Sequence, residues 1–117
     1  MAASVIASGT QTCTVDTTHL LGSGLTGPSG GAHYALLTDA NALVGGEQLT
    51  VIISREAFAA GTQRVLWRGV VASGIGGTRV QDSPILRLPE GIDGKFEILQ
   101  QGGTGRDILW SIERVDG

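Results

Sequence analysis

Lys95-Phe-Glu-Ile-Leu-Gln-Gln-Gly-Gly-Thr-Gly-Arg-Asp-Ile-Leu-Trp-Ser-Ile-Glu-Arg-Val115 is the stretch on which the fold turns. Successive side chains of an extended chain point to opposite sides, so alternation of apolar and polar residues marks a half-buried strand. Phe96, Ile98 and Gln100 share one face here, against Lys95, Glu97 and Leu99 on the other. After Gly102-Gly-Thr-Gly105 the pattern resumes, with Ile108, Trp110 and Ile112 opposite Asp107, Ser111 and Glu113. Two alternating runs around a Gly-rich turn predict a β-hairpin.

The same period extends upstream. Glu47 to Arg55 puts Leu49, Val51 and Ile53 on one face and Thr50, Ile52 and Ser54 on the other. Thr62 to Ala72 aligns Val65, Trp67 and Val71 against Arg64, Leu66, Arg68 and Val70. His33 to Leu37 makes a further strand, followed by an Asp39-Ala-Asn41 turn. Pro84 to Leu88 reads as an edge or strand-end element, because proline cannot donate to a central ladder. Arg55 to Ala60 is the sole helical candidate and is too short to matter. Short strands joined by tight turns predict an all-β fold, an antiparallel β-sandwich of jelly-roll-like form.

The first 31 residues differ in composition. Thr10 to Thr18 is dense in threonine, and β-branched residues favour extended chain over helix. GSGLTGPSGG, residues 22–31, holds five glycines and a proline and reads as a flexible connector. The expected organisation is an extended N-terminal arm and connector over 1–31 and a sandwich domain over 32–117.

Composition restricts function. Only 16% of the 117 residues are charged, against about 25% in ordinary soluble domains. Lys95 is the single lysine beside seven arginines, a balance that suits protein interfaces, which are depleted in lysine. The net charge of -3 and the scattered arginines argue against nucleic acid. Cys13 is the only cysteine, so no intrachain disulfide or thiolate zinc site can form. Aliphatic runs such as Val51-Ile52-Ile53 are far too short to span a bilayer, so no membrane partner is expected. The opening MAASVIASGTQ lacks a basic start and long apolar core, so synthesis in the cytoplasm is expected.

Residues that could carry chemistry are sparse. Gly22-Ser-Gly24-Leu-Thr-Gly27 spells the dinucleotide pattern, but Pro28-Ser-Gly-Gly follows where a helix must begin. His19 and His33 have no carboxylate or nucleophile at a recognisable spacing, and on a strand Asp16 and His19 would fall on opposite faces. Glu97 and Glu113 could share a hairpin face, with Lys95 and Arg114 near enough for ion pairs. Trp67 and Trp110 alternate with aliphatics and read as core anchors; exposed, they could stack on a sugar. Neither catalysis, nor a metal, nor a cofactor is expected.

The stretch Phe96 to Ile112, with Gly61-Thr-Gln-Arg-Val65 and Asp82-Ser-Pro84 before it, resembles small virion proteins of tailed bacteriophages. The likeness spans about residues 33–115, the strands beyond the connector. It implies a structural protein of the virion, made in the host cytoplasm, foremost a capsid decoration (cement) protein. Its partners would be the major capsid protein or other virion proteins and further copies of itself, a trimer being one such homo-oligomer. The arm would then dock on a neighbouring subunit through Val5, Ile6 and Val15, adding a strand to it. A neck, collar or tail component is the alternative within that class, and a carbohydrate-binding module is the alternative outside it.

Overall fold

The structure is a computed structural model, and it describes residues 2–39, 42–44, 46–58, 61–72 and 80–116. Ten strands fill it: β1 (Ala2–Thr12), β2 (Thr18–Leu20), β3 (Leu25–Thr26), β4 (Ala32–Asp39), β5 (Gln48–Glu56), β6 (Gln63–Ala72), β7 (Val80–Asp82), β8 (Leu86–Leu88), β9 (Asp93–Gln101) and β10 (Asp107–Asp116). They form two antiparallel sheets. Sheet A runs β1-β10-β4-β7, with β8 further along β4; sheet B runs β2-β9-β5-β6, with β3 further along β9.

β2 and β3 pair with successive parts of β9, and β7 and β8 with the two ends of β4. Each pair is therefore one interrupted strand, which leaves four strand positions per sheet. In chain order the first position pairs with the eighth, the second with the seventh, the third with the sixth and the fourth with the fifth. That is a long hairpin folded over and rolled into two sheets, the jelly-roll arrangement. Each strand position in sheet A is also joined by the chain to the one in the same place in sheet B. β1 and β6 consequently lie at opposite sides of the sandwich, on different sheets.

Alternation places the core where the sequence put it on β5, β9 and β10, and β4 adds Tyr34 and Leu36. Leu49, Val51, Ile53, Phe96, Ile98, Ile108, Ile112, Tyr34 and Leu36 all face into one cluster, with Leu86 and Leu88 closing it. Thr50, Ile52 and Ser54 are also buried, because β5 is an inner strand shielded by β6 and β9 on either side.

Three expectations are corrected. First, β9 and β10 do not form a hairpin: β9 lies in sheet B and β10 in sheet A. Residues 102–106 arch from one sheet to the other, so Phe96 and Ile98 meet Ile108 and Ile112 across the core instead of lying beside them. Glu97 and Glu113 accordingly sit on different sheets. Secondly, the N-terminal zone is woven into the sandwich. β1 pairs with β10 from Ala2↔Asp116 to Thr12↔Asp107, β2 and β3 pair with β9, and Cys13 and Leu21 are core residues. The Gly-rich connector is held too, since Gly27 is buried and a Cβ there would overlap the Pro89 carbonyl. Thirdly, a bulge between Ile53 and Ser54 shifts the β5–β6 register. Val65 thereby leaves the Trp67 face and stands 51% exposed. The side chain of Val71 and the residues Ala40 and Asn41 of the expected turn lie outside the described residues.

Candidate interaction surfaces

Among the described residues no three His, Cys, Asp or Glu side chains come together as a metal site. The polar groups that do converge are structural. Glu47, 2% exposed, accepts hydrogen bonds on Oε1 from Val44 N–H (2.8 Å) and Arg106 Nε (3.0 Å). Its Oε2 accepts from Thr104 N–H (3.1 Å) and the Arg106 terminal nitrogen (3.0 Å). The Arg106 hydrogen bonds first, and the Val44 N–H next, hold the Glu47 carboxyl down at about 2. The same pairing raises the Arg106 guanidinium.

Gln100, fully buried, completes this knot. Its Oε1 accepts Arg106 N–H (2.8 Å), while Nε2 donates to the carbonyls of Thr104 (2.7 Å) and Gly102 (3.3 Å). The arch packs so tightly that a Cβ on Gly103, which has φ 70°, would run into the Glu47 carboxylate. The polar atoms of Glu47 and Gln100 are all taken up by backbone groups and by the Arg106 guanidinium, so the knot holds the arch in place.

The remaining sequence candidates are placed as follows. His19 on β2 accepts Thr14 N–H at Nε2 (2.9 Å), and its Nδ1 lies 3.2 Å from the Gln11 amide, so its ring braces the turn between β1 and β2. Asp16 sits in that turn with φ 64°, donating its N–H to Gln100 O (2.8 Å). His33 is exposed on β4. Burial first, and Asp107 second, push the Cys13 thiol up, away from the reactive thiolate. Trp67 and Trp110 are half-buried and pack on the core; Trp110 lies beneath Gly9, and Trp67 covers Gly69.

Surface chemistry concentrates on the sheet edges. Sheet edges carry unpaired backbone N–H and C=O groups, which natural proteins blunt by short or broken strands, proline, charge or bulges. Among the described residues, two of the four edges are broken. Gly22-Ser-Gly24 breaks β2 from β3, and Ser83-Pro84 breaks β7 from β8. The other two, β1 with 11 residues and β6 with 10, run without interruption. Each has one bulge, and large aliphatics are exposed beside it: Val5 (58%) and Ile6 (44%) on β1, Val65 (51%) and Leu66 (56%) on β6. Val70 adds a further exposed aliphatic to β6. Of the three residues expected to bind a partner, the fold brings Val5 and Ile6 together. Val15 is half-buried in the turn beyond the other end of β1. Sequence reasoning missed β6 as a surface: it set Val65 with Trp67, from which the bulge turns it, and it placed Leu66 and Val70 on the arginine side without reading a binding edge there.

Between β1, β10 and β4 the outer face of sheet A holds a shallow groove of about 380 Å³. Register sets its lining in two rows, Ser8, Ser111 and Leu37, then Thr10, Leu109 and Asp39.

No protein-family model matches the chain, and no curated protein matches it. A chain in the structure of infectious bursal disease virus Gx strain is similar in outline, with a TM-score of 0.48 and 16% sequence identity over 99% of this chain and 33% of that one. This chain thus spans about a third of the other's length, and a likeness of that degree says nothing about function.

Proposed function

We propose that this is a non-enzymatic structural protein of the tailed-bacteriophage virion, a decoration (cement) protein that clamps the capsid lattice. The observation that carries this reading is the pair of long, uninterrupted edge strands with aliphatic residues turned outward. A protein that worked alone would keep such edges short or broken, whereas one that works in an assembly uses them to extend a partner's sheet. The jelly roll is also an architecture of viral capsid domains, and the low lysine content suits a surface that becomes covered. Binding proceeds by β-augmentation at the outer side of β1, where Val5 and Ile6 meet the major capsid protein. Many weak copies then add up through multivalency.

Lectin domains share the jelly roll, and the groove on the outer face of sheet A, lined by the hydroxyls of Ser8, Thr10 and Ser111, favours carbohydrate binding as the second reading. Electron microscopy of purified particles tests the first. Density for this protein on the capsid shell is the expected result, density at the neck or tail moves it to another virion part, and its absence from particles overturns the reading. A glycan array on the same preparation tests the second, with no binding expected.

A further inference from the structure

We infer that β6 of one copy pairs edge to edge with β1 of the next, so that sheet B of one sandwich continues into sheet A of its neighbour. Three observations point to a second copy as the occupant. The two open edges are matched in length, 10 and 11 residues. They lie on opposite sides of the molecule and on different sheets, so one copy can offer both at once. Each offers aliphatics beside a bulge, so that pairing removes apolar surface from both partners.

Charge decides between self-pairing and head-to-tail pairing. β6 carries exposed Arg64 and Arg68 and no acid. A pairing of β6 with itself would gather four arginines along one seam, and like charges brought close together are destabilising. β1 carries no charge, and the strand behind it presents Asp107 beside Thr12, Glu113 beside Val5 and Arg114 beside Ser4. An arginine-bearing edge therefore meets an uncharged edge backed by two carboxylates and one arginine. Such a contact is heterologous: the surface used on one copy differs from the one used on the next. Heterologous contacts give rings where the rotation closes and open chains where it does not.

This pairing takes the β1 edge that the proposed function gives to the capsid protein, so any one β1 serves one or the other; purified protein alone tests the pairing, and its failure leaves the virion reading standing. The assay is sedimentation of the full chain up to about 1 mM, where weak specific association is still populated. A mass that rises with concentration above the 12.0 kDa of one chain is expected. Ile6→Lys spoils β1 and Leu66→Lys spoils β6, since an edge lysine is the natural block to strand pairing. Each variant alone should sediment as a single chain. Mixed in equal amounts they should form a species of twice the 12.0 kDa chain mass and nothing larger, because one contributes an intact β6 and the other an intact β1. Val5→Lys and Val70→Lys serve as the second pair should either first variant lose its thermal transition. A wild-type chain that stays single at the highest concentration overturns the inference. So does a mixture that fails to form the dimer while the wild type assembles.

Discussion

The arch at residues 100–106 and the edge strand β6 invert the usual rule of polar outside and apolar inside. At the arch, Glu47 and Gln100 are buried and every bond they can make is made. On β6, Val65, Leu66 and Val70 face solvent beside a row of backbone groups with no partner beyond β5 among the described residues. Buried polar groups are tolerated only when satisfied, so the arch is a device of stability. Exposed aliphatics on an open edge lower stability little, yet invite association. The difference teaches that folding and binding are allotted to separate parts of this sandwich, which makes the two separable by substitution.

The largest expected effect tests whether the N-terminal zone belongs to the folding unit. Deleting residues 1–31 removes three strands together with Cys13 and Leu21, so the cooperative thermal transition should vanish. A truncated chain that still melts cooperatively would restore the separate arm. Next comes the centre of the core, where Phe96→Ala should cost about 3–5 kcal/mol in urea unfolding. At the arch, Gln100→Ala leaves the Arg106 N–H without its acceptor and should cost about 2–3 kcal/mol; a cost below about 0.5 kcal/mol would mean that the knot is ornamental.

Acid should act at the same place. The Glu47 carboxyl titrates at about 2 in the folded chain, below its unfolded value near 4.3. A depressed folded value contributes stability that is complete above the unfolded value and is lost as pH falls through the folded one. Unfolding midpoints should therefore drop between about pH 4.5 and pH 2, and Glu47→Gln should flatten that part of the profile. The smallest effect is expected on β6, where Leu66→Lys should change monomer stability by no more than about 0.5 kcal/mol. A much larger loss would show that Leu66 supports the core and that the contrast with the arch is false.

Strand period was legible wherever one face was apolar and the other was not, as in Leu49, Val51 and Ile53 or Phe96 and Ile98. The hairpin expected at 95–115 was not, because alternation and a Gly-rich turn are common to a hairpin and to an arch between sheets. What separates the two is which strands lie alongside, and that is a non-local property. Gln100 carried a signal that could have been read: a glutamine on the apolar face just before the glycines needs buried partners, and an arch supplies them. β1 was missed for a related reason. Its Ser and Thr residues offer no burial contrast, and its place depends wholly on β10, about a hundred residues away. The outward faces of Val65 and Leu66 could not be read, since a bulge leaves no mark in the residues of β6 themselves.

The pairing of β1 with β10 also sets an order of events in the cell. During synthesis β1 is made about a hundred residues before its partner β10, so sheet A cannot close until translation reaches Asp116. Contacts so remote in sequence are slow to form, because the loop-closure entropy comes before any reward. Through that interval β1 waits as a loose ribbon with few large apolar groups, Val5 and Ile6 apart. Its serines and threonines, which hid it from a reading by hydrophobic pattern, are what a segment needs if it must stay unattached until its partner emerges from the ribosome.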